Sequence, residues 1–246
     1  MKVLPSNFLN TFLIIFSLLV FAFCEKEEVQ PTPEEPLTEE EVVALVEGAL
    51  VSDTEGMAKE AEDAAYVAEE YVEKNEGAGL CDTAFDTTVV RTYNGARITA
   101  NYTSQWGWNV ECNDLMIPQI LHFNRSTEGS YETLRMRSED SAASEWQVSS
   151  LLTGDSYIIN GNYNRQGSQE SRVRLQNSFS STIVMTITDL QINKETARIN
   201  SGSGSFQITG AGTGGNSFSY QGTITFLSDG SAEITINGTT YIIDLY

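Results

Sequence analysis

The sequence predicts a mainly β protein, in which a short N-terminal α-helical segment precedes an antiparallel meander folded as a curved sheet or a β-sandwich. Three observations support this prediction. Apolar residues recur at helical spacing between residues 38 and 76. From about residue 83 onward, apolar and polar residues alternate as they do in half-buried strands. Asn-Gly and Asp-Gly pairs near the C-terminus are the turn residues that antiparallel hairpins prefer.

The N-terminus has the features of a cleaved signal peptide, predicted to span residues 1–23. Lys2 supplies a positive charge, and residues 12–23 (FLIIFSLLVFAF) form an uncharged, almost wholly apolar run. This run is much shorter than the roughly 20 apolar residues that a membrane-spanning helix needs. Cleavage in front of Cys24 would make this cysteine the first residue of the mature chain. The alternative is an ordinary secretory signal in which the cysteine has no role.

A cysteine at the end of such a run resembles the lipobox of bacterial lipoproteins, although Phe23 stands where that family has Gly, Ala or Ser. The following residues 25–28 (EKEE) resemble the export signal of surface lipoproteins of Bacteroidota-type bacteria. The resemblance implies that Cys24 is acylated and that the protein is anchored in the outer membrane, facing the cell exterior. Several acyl chains hold a protein firmly on a bilayer without spanning it. The implied signal residues are Lys26, Glu27 and Glu28.

The chain is strongly acidic, with a net charge of −20, and the acids are concentrated near the N-terminus. Residues 25–76 hold 18 of the 34 acidic residues and three of the 14 basic ones. Residues 24–37 are predicted to be the lipidated cysteine followed by a disordered, acidic, proline-punctuated tether. An acidic chain repels phosphate backbones, so no nucleic-acid partner is expected. The expected partners are the membrane, through the lipid, and other envelope proteins or glycans.

Residues 38–76 are predicted to form two helices. Thr38 and Glu41 have the spacing of a capping box, and the apolar residues that follow recur at helical spacing up to Leu50. Ser52 and Glu55 repeat this spacing and are expected to cap the second helix. The apolar face of that helix is rich in alanine, which predicts close contact with another element.

Residues 77–246 are predicted to form an antiparallel β domain. Between Ile98 and Cys112 the even positions are mainly apolar and the odd positions mainly polar, which is the alternation of a half-buried strand. Cys112 shares the apolar parity. Because Cys81 and Cys112 are the remaining pair of cysteines in an exported chain, a disulfide between them is expected. Closing a loop of this size stabilises the folded state by roughly 3–4 kcal/mol.

Turn residues predict the pairing of the C-terminal strands. A two-residue turn at Asn237-Gly238 pairs Ile234 with Tyr241. A three-residue loop ending at Gly230 pairs Ile224 with Ile234, and Gly230 would then be left-handed. Three earlier hairpins are expected around residues 165–170, 193–196 and 210–216. They would pair Tyr163 with Val173, Leu190 with Ile199, and Ile208 with Phe218.

No catalytic residue, metal site or cofactor is expected. His122 is the single histidine, and the chain contains no Gly-x-Ser-x-Gly turn that could supply a nucleophile. Two cysteines and one histidine do not make a zinc site. The glycine-rich segment 201–215 lacks the lysine of a phosphate-binding loop. The sequence therefore predicts that the protein is not an enzyme.

Three aromatic residues are the candidates for ligand binding, because they share one face of a predicted strand: Tyr102, Trp106 and Trp108. Exposed aromatic rings there could stack on sugar rings. The strict alternation around them favours the other interpretation, in which they pack in the core.

Three short segments resemble the Asp-Ser/Thr-apolar acceptor of O-glycosylation in Bacteroidota-type bacteria: Asp82-Thr83-Ala84, Asp86-Thr87-Thr88 and Asp140-Ser141-Ala142. They place the acceptor hydroxyls on Thr83, Thr87 and Ser141. The two triplets near Cys81 lie in a segment that is expected to be exposed.

The sequence leaves three classes of function. The favoured one is a surface-exposed, lipid-anchored protein with a structural or partner-binding role, because residues suited to chemistry are sparse. The alternative is a glycan-binding module that uses exposed tryptophans. A hydrolase, whose acids would come together only in the fold, is expected least because no acid and base can be assigned from sequence.

Overall fold

The computed structural model describes residues 37–73, 81–173 and 177–246, which belong to one compact unit. Two α-helices, α1 (Glu39–Leu50) and α2 (Met57–Val67), are separated by a 3₁₀ turn at Ser52–Thr54, and a π-helical segment at Ala68–Glu73 follows α2. Ten strands come next in the described residues: β1 (Ala84–Asn94), β2 (Ile98–Cys112), β3 (Pro118–Thr133), β4 (Met136–Ser149), β5 (Ser156–Ser171), β6 (Ser178–Asn193), β7 (Ile199–Gly212), β8 (Ser217–Phe226), β9 (Ser231–Ile236) and β10 (Thr239–Asp244).

The start of α1 has the capping box that the sequence predicts. The Glu41 amide donates to the Thr38 hydroxyl at 3.3 Å, and the Thr38 amide donates to the Glu41 carboxylate at 2.8 Å. These two bonds satisfy amide groups that have no partner within the helix. The second predicted helix is present, but its predicted cap is wrong, because Ser52 lies in the 3₁₀ turn and Glu55 takes a left-handed φ of 53°. Helix α2 begins only at Met57, so the Glu55 side chain is free to point elsewhere.

All ten strands belong to one sheet, in which each strand pairs antiparallel with its neighbour in sequence. This confirms the predicted meander and selects a single curved sheet over a sandwich of two. The disulfide between Cys81 and Cys112 is present, with Sγ atoms 1.99 Å apart. It ties the segment before β1 to the end of β2.

The sheet wraps around the helices, so that the core lies between its concave face and both helical segments. Helix α2 contacts β4, β5 and β6, while α1 contacts β4 and the 3₁₀ turn contacts β2. On β8, the Tyr220 hydroxyl donates to the Leu37 carbonyl at 2.9 Å. The predicted close approach of the alanine-rich helix is confirmed, because its small side chains are almost completely buried: Ala58, Ala61, Ala64 and Ala65.

The pairing of the three C-terminal strands agrees with the prediction. Ile234 lies opposite both Tyr241 and Ile224. Gly230 has a φ of 84°, and both residues of the Asn237-Gly238 turn also have positive φ. These conformations match the two turn types inferred from sequence.

The pairing expected for the earlier hairpins is wrong. Residues 165–170 do not form a turn, because β5 continues through them and Tyr163 pairs with Met185. A Cβ atom at Gly167 would lie 2.5 Å from the Cβ of Asp140 on β4, so this glycine permits a close approach between strands. In the other two hairpins the turn is near its expected place but the partners differ. Ile199 pairs with Ile192 and Ile208 pairs with Tyr220.

The meander has two ends, and they carry different features. The turns after β2, β4, β6 and β8 lie at one end, here called the disulfide end because it holds Cys112. The turns after the odd-numbered strands lie at the other end. There the Asn177 amide donates to Glu41 at 3.4 Å, close to where α1 begins. We call this second end the Leu37 end.

Candidate functional site

Five charged side chains meet inside the sheet and form what we call the buried charge cluster. Its acids are Glu55, Glu60 and Asp63 from the helical segment, and its bases are Arg91 from β1 and Arg125 from β3. Sequence reasoning missed this cluster, since its members lie far apart along the chain. The only local signal was a charged residue at an inward position of β1 and of β3.

Arg125 is the centre of the cluster, and its side chain is completely buried. Its guanidinium donates to Asp63 at 2.9 Å and also to Glu55. The hydroxyls of Ser104 and Thr127 accept further bonds at 2.8 and 3.0 Å. Nearly all of the guanidinium donors are thereby used, which is what a buried arginine requires.

Arg91 contacts two of the same acids from β1. It donates two bonds of 2.8 Å to the two carboxylate oxygens of Asp63, and one of 3.0 Å to Glu55. Burial by itself lowers the pKa of Arg91, but the hydrogen bonds and charges of Asp63 and Glu55 raise it overall. Each of these two acids therefore contacts two arginines.

Glu60 is the least compensated acid of the cluster. It is fully buried, it accepts a bond of 3.3 Å from the indole nitrogen of Trp146, and its nearest arginine atom is the Nε of Arg125 at 3.9 Å. Burial raises the pKa of Glu60, and the charge of Arg125 offsets this only in part. The proton on this carboxyl is therefore held more tightly in the folded state than in the unfolded chain.

A second buried arginine fastens α1 to the sheet. Arg165 on β5 lies 3.0 Å from Asp140 and donates to the Tyr102 hydroxyl at 2.5 Å. It also donates to the carbonyls of Gly48 at 2.6 Å and Thr54 at 3.1 Å. These carbonyls lie near the end of α1, where backbone acceptors lack helical partners.

Three carboxylates do come together in the fold, but they face arginines and lie away from solvent. A general acid or base must reach the proton that it transfers. The buried charge cluster instead bonds the helical segment to the sheet. Within the described parts of the chain, no group of histidine, cysteine and acidic residues could hold a metal ion.

The three candidate aromatic residues lie on the concave face and are buried, with only 2 % of Tyr102, 7 % of Trp106 and 6 % of Trp108 exposed. Phe85 stacks on Trp108, and the Arg91 guanidinium covers Trp106 at 5.2 Å from the ring centre. The expectation of core packing is confirmed. Because these three side chains are buried, they present no exposed ring to a ligand.

The remaining sequence candidates lie outside the core or outside the described residues. Thr83 and Thr87 are exposed before and within β1, and Ser141 is partly exposed on β4. His122 lies on the convex face of β3, 3.2 Å from a Glu111 carboxylate oxygen. The predicted lipidation and export residues lie outside the described residues: Cys24, Lys26, Glu27 and Glu28.

A polar groove crosses the convex face of the sheet from β1 to β6 and has a volume of ≈ 890 Å³. We call it the outer groove. Two cross-strand rows of outward side chains border it. The first row is Asp86, Gly107, Asn124, Glu145 and Asn162, and the second is Thr88, Gln105, Ser126, Ala143 and Asn164. Six strands at about 4.8 Å spacing make the groove about 24 Å long.

The chemistry of the outer groove is that of an uncharged to acidic hydrogen-bonding surface. In the described parts of the chain, the carboxamides of Gln105, Asn124 and Asn164 have no hydrogen-bond partner, and Asp86 has no ion pair. Arg125 borders the groove only with its backbone, since its side chain is buried in the charge cluster. A ligand here would meet free amide donors and acceptors.

A second surface feature lies at the disulfide end, in the turn between β2 and β3. Residues 113–117, here called the tip loop, expose three consecutive apolar side chains: Leu115 by 77 %, Met116 by 63 % and Ile117 by 41 %. Sequence reasoning missed it. The available signal was the apolar triplet itself, placed between the turn-forming Asn113-Asp114 pair and Pro118.

Comparison with known proteins finds no family model, curated protein or solved structure that matches this chain. Among the helices that the structure describes, none is long and apolar enough to cross a bilayer.

Proposed function

We propose that this protein is a lipid-anchored component of the outer membrane that faces the cell exterior and binds a partner without catalysing a reaction. One observation supports this most directly: the concave interior of the sheet is filled by the protein's own helices. The charged side chains there are engaged with one another. Binding is therefore left to the convex face and the turns.

The anchor in this proposal is the acylated Cys24. Its support is the position of the cysteine between an apolar run and the acids that follow. Several acyl chains bind a bilayer far more firmly than a single chain does. The body of the protein would then remain at the membrane through residues 25–36, without a spanning segment.

Labelling and fractionation test the anchor. Cells that produce the wild type or the Cys24→Ser variant are fed a labelled fatty acid, and their membranes are then separated. The wild type is expected to carry label and to sediment with the outer membrane, whereas the variant does neither. Label and membrane association that both survive in the variant would refute lipidation at this residue.

Protease added to intact cells tests the orientation. Replacing Lys26, Glu27 and Glu28 together with alanine is expected to leave the protein acylated but protected from the protease. Wild-type protein is expected to be digested. Equal digestion of both forms would show that these three residues do not direct export.

Binding of a neutral glycan in the outer groove is a second candidate function. The observation that favours it is the set of free carboxamides on Gln105, Asn124 and Asn164, which can donate to and accept from sugar hydroxyls in the same way as they do with water. Asp86 and Glu145 disfavour anionic glycans. This version of glycan binding does not involve the buried tryptophans.

Titration with oligosaccharides tests the groove. Residues 25–246 are titrated with neutral and with anionic oligosaccharides while amide resonances are followed by NMR. Shifts are expected at groove residues with neutral sugars only, and Asn124→Ala together with Asn164→Ala is expected to abolish them. Equal shifts in this double variant, or shifts only with anionic sugars, would exclude the groove as the glycan site.

A further inference from the structure

The tip loop exposes more apolar side-chain surface than most of the neighbouring turns do. Leu115, Met116 and Ile117 project together from a turn, although most of the neighbouring turns carry polar or small residues at their tips. Contiguous exposed apolar side chains in a folded protein mark interaction sites. Methionine is moreover enriched in protein interfaces, where its unbranched side chain adapts to the partner.

The backbone of the tip loop is held in one conformation. The Asn113 side chain accepts bonds of 3.0 Å from the amides of Leu115 and Ile117. The Met116 amide donates to the Asn113 carbonyl at 2.9 Å, which places Met116 at a left-handed φ of 60°. Cys112, directly before this loop, is fixed by the disulfide. A surface that is ordered before binding loses little conformational entropy when it binds.

The charges around the tip loop select the chemistry of its partner. Glu111, Asp114 and Asp82 are exposed beside it, and residues 81–84 and 111–118 contain no lysine or arginine. An anionic lipid surface would repel these acids. A second copy would bring the same exposed acids to face these ones, so like charges oppose self-association through this loop. An apolar pocket edged by basic residues fits both features.

The tip loop also lies far from Leu37, at which the described part of the chain begins. The 15 residues of β2 span about 50 Å, and the tip loop lies at the end opposite Leu37. A partner bound at this loop would be the partner that the proposed function requires.

We propose that the tip loop is the docking site for a second, different protein. Leu115 and Met116 enter an apolar pocket of that protein, and lysine or arginine side chains at the pocket rim face Asp82 and Asp114. A few buried side chains commonly supply most of the binding energy of an interface. Removing the apolar character of these two residues is therefore expected to abolish docking.

Site-specific photocrosslinking tests this proposal. The full chain carries a photoreactive amino acid in place of Leu115, and in a matched control in place of Leu134, which is 68 % exposed at the Leu37 end. Envelopes from the producing cells are opened, so that both membrane faces are accessible, and then irradiated. A discrete adduct with another protein is expected from position 115 and not from position 134.

Competition shows whether the tip loop itself is recognised. Purified residues 25–246 in excess are expected to reduce the adduct at least tenfold, whereas the same protein with Leu115→Asp and Met116→Asp leaves it unchanged. Both side chains are exposed, so the double variant is expected to unfold at the same urea concentration as the wild type. Because opened envelopes are used, the result does not depend on Cys24 acylation or on orientation.

Four results would overturn the proposal. The first is no adduct from position 115, or the same adduct from position 134. The second is equal competition by the double variant. The third is an adduct with a second copy of this chain, or flotation of purified residues 25–246 with phosphatidylcholine vesicles that the double variant loses. The fourth is a crosslinked partner peptide whose surroundings lack lysine and arginine.

Discussion

Replacing Arg125 with methionine should destabilise the fold more than any surface change. The substitution keeps most of the side-chain volume but removes the guanidinium that contacts Glu55 and Asp63. Removing one partner from a buried ion pair typically costs 3–5 kcal/mol, because the other charge stays buried. Arg91 remains bonded to both acids, so we expect about 3 kcal/mol, at the lower end of that range.

Urea unfolding of residues 25–246, followed by tryptophan fluorescence, measures this cost. The midpoint should fall while the slope of the unfolding free energy with urea stays constant, because the amount of surface exposed on unfolding is unchanged. Arg137→Met is the matched control. Arg137 is 57 % exposed and lies 3.9 Å from Glu139, so its loss should change the free energy of unfolding by less than about 0.5 kcal/mol.

A double variant tests whether the uncompensated carboxylate is the cause. Adding Glu55→Gln to Arg125→Met removes one of the excess negative charges, and it should therefore recover part of the lost stability. The reasoning is refuted if Arg125→Met costs less than about 1 kcal/mol, or no more than Arg137→Met. It is also refuted if the changes that Arg125→Met and Glu55→Gln each cause in the free energy of unfolding simply add in the double variant.

Three further outcomes follow from the same structure. Burial raises the pKa of Glu60 above its value in the unfolded chain. The protonated Glu60 side chain therefore adds to the free energy of unfolding at low pH, and this contribution is lost as the pH rises through the raised pKa. Glu60→Gln cannot ionise, so its stability relative to wild type should increase as the pH rises above the ordinary pKa of a glutamate; a difference that stays flat with pH would contradict this. Replacing Cys81 and Cys112 with serine should lower the free energy of unfolding by about 3–4 kcal/mol, measured by urea titration, and an unchanged midpoint would argue against a stabilising disulfide. Ile234→Ala should cost about 2–5 kcal/mol because Ile234 is fully buried, whereas Thr235→Ala, on the convex face, should stay within about 0.5 kcal/mol; similar losses at both sites would disprove the assignment of faces.

Signals that act over a few residues could be interpreted correctly from the sequence. The capping box of Thr38 and Glu41, the Asn237-Gly238 turn and the alternation along β2 each depend on neighbours in the chain. The meander followed from these signals, because successive strands joined by short turns pair with each other. The Cys81–Cys112 pair could be inferred because Cys24 is the single other cysteine and lies in the segment that was expected to be an anchor. The expectation that a glycine in a polar segment marks a turn failed at Gly167. That glycine permits contact with another strand and forms no turn.

Contacts between distant residues were decided by the tertiary structure alone. Glu55 and Arg125 are separated by 70 positions, and they meet only because the sheet wraps around the helical segment. The alternation along β2 placed Trp106 and Trp108 on one face, but what covers that face depends on where the helices pack. The apolar triplet at residues 115–117 was likewise visible in the sequence, while its exposure depended on which turns lie beside it. Periodicity assigns a side chain to a face, whereas burial is determined by the elements that long-range folding brings against that face.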